Sequence, residues 1–333
     1  MLRRAIFALI VVAVVLPAAA GSLPSRPNEI LWRNPGNVAA LDLAYGPGGR
    51  EGRPRPPFRF LSEDLSGTSP KVKVRDARGR TWVLKWGAEA WASTFSSHFA
   101  WACGYIAETE YFIPRGRIDG AHGLHRAARY VAPDGSFEDA RFQLRTDNPK
   151  FLTDHNWSWV NNPFIGTREF KGLRILMLLL SNWDAKDARD MNGSGSKTAD
   201  SNLAIFEVRS KRPEYLYFVS DWGATMGKAS SVPLMRDKWD PRKYNRQTER
   251  FIREVRPDGE VVFGIGVKHG HDVARRINVG DVAWLMRWLG RITDAQIERD
   301  LATSGATPEQ VSFFAPALRE RIRQLQDVVD RAM

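Results

Sequence analysis

Five charged residues stand in an order that suits phosphoryl transfer. Lys85 closes the apolar run Thr81-Trp-Val-Leu-Lys85, and Glu89 follows where a helix should begin. Asp184 and Lys186 lie in Asn182-Trp-Asp-Ala-Lys-Asp187, directly after a very apolar stretch. Asp221 ends the run Tyr215-Leu-Tyr-Phe-Val-Ser-Asp221 and is followed two places on by Gly223. Phosphoryl transfer asks little covalent work of a protein. It needs a cation on the phosphates, metal ions bridging them and a carboxylate beside the attacking hydroxyl. A strand lysine, an Asp-x-Gly aspartate and a loop aspartate supply those three. Each has a plainer reading: an edge-strand lysine, an Asx turn and a helix-end carboxylate. Glu89 is equally well explained as a carboxylate placed favourably at a helix N-terminus.

These residues must be carried by an ordered mixture of strands and helices. Period-two alternation in Lys71-Val-Lys-Val-Arg75 predicts a half-exposed strand, flanked by strands at 58–62 and 81–85. A helix is predicted over 88–103, stopped by Gly104. Short strands are predicted at 111–114 and 143–145. The segment 169–180 is apolar all round and predicts a buried helix. Strands follow at 202–208, 215–219 and 260–263, and helices at 279–289, 293–304 and 308–329. Met191 to Thr198 reads as a flexible loop, and the chain after Lys228 as a long polar, basic one. Residues 21–57, rich in Pro, Gly and Arg, predict a linker or extended arm, with the folded body starting near Phe58.

The ends and the composition bear on location. Arg3 and Arg4, an apolar run from Ala5 to Leu16, Pro17 and the small residues 18–21 form the three-part pattern of a secretory signal over 1–20, or an uncleaved anchor. The run is short for a membrane span. The single cysteine, Cys103, excludes an internal disulfide and points to a bacterial periplasm or cell envelope. It sits in an apolar run, as a buried structural thiol does. The net charge of +11 favours anionic partners, but no specific nucleic-acid motif accompanies it. Most of the twelve tryptophans are expected in the core or at a lobe interface. Neither His122 with His125 nor His269 with His271 has the ligand set of a zinc site.

Taken together, Trp82-Val-Leu-Lys85, Asn182-Trp-Asp-Ala-Lys-Asp187 and Val219-Ser-Asp-Trp-Gly-Ala-Thr-Met-Gly-Lys228 resemble the atypical kinase-like proteins. That group includes the HipA-type, phosphatidylinositol and secretory-pathway kinases, and exported bacterial proteins with an Asn-Trp-Asp-x-Lys-Asp motif. The resemblance covers roughly 58–325. It implies an α+β, two-lobed protein-kinase-like fold, with a small β-rich lobe over 58–119 and a larger helical one over 120–333. It implies a site for ATP or another nucleotide, with Mg or Mn, and a protein, lipid or sugar acceptor. Lys85, Glu89 and the turn Ser66-Gly67-Thr68 would hold the nucleotide. Asp184 would be the catalytic base with Lys186 beside it, and Asp221 the metal ligand. Kinase catalytic loops place Asn five residues after the catalytic Asp; here that place is Arg189, so Asp187 or Asp190 would serve the metal. The helix carboxylate expected one turn into 88–103 is replaced by Ser93. Three functions fit these residues: an exported phosphotransferase, a pseudokinase that binds a nucleotide or partner, and a structural envelope protein.

Overall fold

The computed structural model describes residues 28–66, 69–152, 155–191 and 201–332. The signal-like segment, Gly67, Thr68 and most of the loop at 191–198 therefore lie outside the described residues. The architecture is mixed α+β. Strands β2 (Phe58–Asp64), β3 (Lys71–Arg75), β4 (Thr81–Trp86), β5 (Glu110–Asp119) and β6 (Ser136–Arg145) close into a barrel in the order β2-β3-β4-β6-β5. Parallel pairing of β2 with β5 makes the closure. A five-stranded barrel is narrow enough for side chains to fill. Phe58, Trp82, Phe137 and Phe142 do so, with Phe58 and Phe142 ring centroids 4.8 Å apart. The barrel includes β6, so a division of the chain at residue 119 would cut its β5–β6 hairpin.

Helix α1 (Ala88–Ala102) leaves the end of β4 through Gly87. A second sheet follows the order β1-β9-β8-β7, from β1 (Glu29–Ile30), β7 (Lys150–Phe151), β8 (Leu203–Val208) and β9 (Glu214–Val219). Its presence revises the reading of 21–57: β1 pairs in parallel with β9, Leu31, Val38 and Leu43 are buried, and Trp32 packs on Trp284 and Trp288. The described part of this arm is a packed strap with short 3-10 turns at Leu43–Gly48 and Arg50–Gly52. Its apolar residues are spaced without period and set among Pro, Gly and Arg, which is why the sequence pattern hid them. The polar stretch after Lys228 likewise contains α3 (Pro241–Thr248) and β10 (Ile252–Val255), the latter paired with β11 (Val261–Phe263).

Helix α2 (Arg168–Leu179) is the centre of the second core. Thr167 caps its start by accepting from Phe170 N. Gly172 is required where Tyr105 and Trp284 cross the helix, since a Cβ there would lie 2.3 Å from the Tyr105 hydroxyl. Around α2 stand α4 (Gly270–Ala274), α5 (Val279–Leu289) and α7 (Pro308–Asp330), and α6 (Asp294–Thr303) packs on α7. Among the described residues no helix is long and apolar enough to cross a membrane.

The C-terminal end of α2 is buried and closed by two devices. Ser181 takes a left-handed conformation (φ 54°), letting its N–H donate to Leu178 O and that of Asn182 to Met177 O. The guanidinium of Arg321, on α7, donates to Leu179 O at 2.8 Å, Ser181 Oγ at 2.7 Å, Tyr244 O at 2.9 Å and Thr248 Oγ1 at 3.0 Å. Arg321 is 0% exposed and stacks 3.7 Å from the Tyr244 ring centroid. Substituting Arg321→Leu takes away the donor to the buried Ser181 and Thr248 hydroxyl oxygens, while Leu179 O keeps the Tyr244 hydroxyl and Tyr244 O keeps the Thr248 hydroxyl. The expected loss is about 3 kcal/mol of unfolding free energy, read from urea denaturation, at about 1–3 kcal/mol per orphaned group.

Candidate functional site

Strand register places three cations side by side on the barrel. Lys85 on β4 lies opposite Lys71 on β3 and Arg141 on β6. Burial lowers the Lys85 ammonium pKa and the Arg141 charge adds to that, while Asp221, Glu89 and Glu110 pull the other way. Lys85 is thus surrounded by carboxylates that act on it electrostatically, but among the described residues it makes no ion pair within 4.0 Å. Ser93 donates to Glu110 Oε2 at 3.0 Å, and Arg141 binds Glu110 Oε1 at 3.1 Å. Glu110 on β5 is thus a carboxylate near Lys85 that is itself paired with Arg141. Nothing in the sequence around Glu110 signalled this, because the contact depends on barrel closure.

Glu89 sits at the start of α1, between two donors. Its carboxylate accepts from Ser69 Oγ at 2.9 Å and from Lys238 Nζ at 2.5 Å. Against the desolvation that burial imposes, the Lys238 bond holds its pKa below the ordinary value. Its direct partner is thus Lys238 rather than Lys85. Ser66, in the expected phosphate turn, accepts from Lys71 Nζ at 2.9 Å and donates to Asp64. Gly67 and Thr68 of that turn lie outside the described residues.

Asp221 is brought to this corner by its own turn. Gly223 N donates to Asp221 Oδ1 at 2.8 Å. A Cβ on Gly223 would meet that oxygen at 2.9 Å and the Glu89 Cβ and Cγ at 3.1 Å. The glycine is what lets the Asp221 turn lie against the start of α1.

The Asp184 segment is fixed to the Asp221 segment by two asparagines. Asn182 Nδ2 donates to Asp221 O at 3.4 Å, and its buried Oδ1 has no partner among the described residues. Asn202 donates through Nδ2 to Asp184 O and through its backbone N to Lys186 O at 3.1 Å, while its own carbonyl accepts from Ser220 N at 2.8 Å. Lys186 Nζ lies 3.2 Å from Asp184 Oδ2. The sequence reading passed over Asn202 because it looked five residues after Asp184. The asparagine stands eighteen positions on. The usable signal was an Asn directly before the apolar strand Leu203–Val208.

Arg189, Asp187 and Asp190 form a separate ion-paired knot. Asp187 accepts from Trp159 N and from the Arg189 backbone and guanidinium, and Arg189 also reaches Asp272 at 2.9 Å. Asp190 accepts from Lys268 at 2.6 Å and His269 at 2.8 Å. Asp187, Asp190 and His269 lie within 4.8 Å of one another, a spacing that a metal ion could bridge. In the folded chain every carboxylate oxygen of the two aspartates already accepts from a donor. Hard oxygen ligands for a divalent cation are better offered by the other corner, where Asp221 forms no ion pair within 4.0 Å among the described residues and Asn182 Oδ1 is unbonded.

No protein-family model matches the chain, and no curated protein is similar to it.

Two outcomes test this geometry. Gly223→Ala should push Glu89 and Asp221 apart and cost about 1–3 kcal/mol in unfolding free energy. Burial opposes ionisation of Asp190, but the bonds from Lys268 and His269 hold its pKa at about 2, below the ordinary 3.8. Its contribution to stability is complete above the unfolded pKa and is lost as pH falls through the folded one. The stability difference between wild type and Asp190→Asn should therefore be flat near neutrality and shrink as pH falls from about 4 to about 2.

Proposed function

We propose that the chain is an exported, kinase-like phosphotransferase that uses ATP or another nucleotide with Mg or Mn. The observation that carries this reading is the convergence at one corner of Lys85, Glu89 and Asp221, with the Asp184 segment laced to Asp221 by Asn182 and Asn202. On this reading the barrel with α1 is the small lobe of a two-lobed fold, and the nucleotide lies between it and the segments carrying Asp184 and Asp221. Lys85 holds phosphate oxygens, with Lys71 and Arg141 beside it. Asp221 and the amide oxygens of Asn182 or Asn202 are the groups that would hold the metal, and a metal bound there neutralises charge on the transferred phosphoryl group. Asp184, with Lys186 against it, faces the acceptor hydroxyl and takes its proton. Export to a periplasm or envelope rests on the signal-like residues 1–20.

One observation favours a second reading, a pseudokinase that binds a nucleotide or partner without turnover. Glu89 is bonded by Lys238, not by Lys85.

Thermal unfolding of the protein with ATP and Mn or Mg decides between them. A ligand at about 100 times its Kd adds about 2.7 kcal/mol to the native state. A metal-dependent rise in Tm is expected, lost in Asp221→Ala and Asn202→Ala. Asp184→Asn should keep the rise and abolish phosphate transfer. No rise with any nucleotide at millimolar concentration sinks the phosphotransferase reading. A rise without transfer by the wild type establishes the second one.

A further inference from the structure

The segment after Gly227 runs out from the candidate site, turns in solvent and returns. Its ends are tied down: Asp237 N donates to Lys228 O at 2.9 Å, Trp239 N to Thr225 O at 2.9 Å and Asp240 N to Met226 O at 2.8 Å. The tip is Val232-Pro-Leu-Met235, a single 3-10 turn closed by Met235 N on Val232 O at 3.1 Å. Arg236 braces it by donating to Ser230 O at 2.8 Å and Ser231 O at 3.2 Å, with its guanidinium 5.1 Å from the Trp183 ring centroid.

A braced tip would be expected to turn its apolar side chains inward. Instead Leu234 is 99% exposed, and Val232 and Met235 beside it are 49% and 50% exposed. The next most exposed large apolar residue described is Ile165, at 55%. A lone exposed leucine needs no explanation, but three apolar side chains held together at one protruding turn mark an interaction surface.

The charge around the tip indicates what it meets. From Lys228 to Arg246 the chain carries six Lys or Arg and two Asp. Lys238 and Lys243 are taken up by Glu89, Asp237 and Asp240. Arg242 faces Glu309 at 3.5 Å, and Lys228, Arg236 and Arg246 still leave the base of the tip cationic. Apolar side chains at the apex of a cationic loop match a surface that is anionic outside and apolar just beneath. We propose that this tip docks on an anionic lipid surface, with Leu234 and Met235 entering between the headgroups. The proposal stands independently of phosphoryl transfer.

The test places a Leu234→Cys substitution in the full chain and labels it with a polarity-sensitive fluorophore. The native Cys103 is fully buried and stays unlabelled in the folded protein, which wild type treated with the same reagent checks. Phosphatidylcholine vesicles with phosphatidylglycerol should shift the emission to the blue, and high salt should reverse it. Phosphatidylcholine alone should do neither. The double variant Leu234→Asp, Met235→Ser alters only exposed side chains, so circular dichroism should be unchanged while co-sedimentation with anionic vesicles falls by at least about tenfold. The apolar run from Ala5 to Leu16 could itself hold vesicles, and the probe at 234 separates the two causes. Sedimentation without a spectral shift overturns the proposal, as does an equal shift with neutral vesicles. A complete lack of vesicle binding also overturns it, and would point to a protein as the tip's partner.

Discussion

A helix that ends inside a protein must bond its last carbonyls without water. In this chain that constraint falls on α2, whose final turn is enclosed by α3, α7 and the 221–226 turn. The sequence that follows α2 carries Asn182, Asp184 and Asp187, so the way the helix stops decides where those side chains go. Glycine is the usual residue for the left-handed position at such an end. Serine stands there instead, and its hydroxyl gives Arg321 one of its four acceptors. The strain of a non-glycine left-handed residue is offset by a buried charge-assisted bond. Tyr244 adds a second donor to Leu179 O at 2.8 Å and a ring face to the guanidinium. A buried cation thus finds carbonyl and hydroxyl dipoles at the negative end of a helix, and among the described residues no carboxylate pairs with it.

From that fixed point the polar segments are held mainly by backbone hydrogen bonds. Met226 N donates to Leu180 O at 2.9 Å, Trp183 N to Ala224 O at 3.4 Å and Lys268 N to Trp183 O at 2.9 Å. Asn202 completes the lattice by touching both the Asp184 segment and the start of the Asp221 segment. Since amide side chains both donate and accept, they can bond two strands of backbone that cannot pair directly. The carboxylates themselves are then left for other partners. Where a carboxylate is needed for structure, as at Asp187 and Asp190, it is saturated by Arg189, Lys268 and His269.

Arg189 shows how a residue at a motif position can belong to a different structure. By spacing alone it occupies the place of a metal-binding asparagine. In the fold it is an ion-pair partner that closes a 3-10 turn at Ala188–Asp190 and reaches α4 through Asp272. Ser93, where the resemblance leads one to expect a carboxylate, hydrogen-bonds Glu110 of β5.

The sequence by itself determined the order and type of the main elements and named Lys85, Asp184 and Asp221. The barrel strands show period-two alternation or short apolar runs, and α2 and the C-terminal helices show continuous apolar faces. These are local signals that burial imposes on consecutive residues. The strap at 29–52, α3 and β10 were hidden, because none carries a sustained apolar period and each is ordered by contacts with distant segments. Which charges meet was also outside the sequence's reach. Glu89 with Lys238, Glu110 with Arg141, and Asn202 with Asp184 are separated by 149, 31 and 18 positions. Pairing at such separations follows from barrel register and from how the chain folds back on itself, and only the tertiary structure decided it.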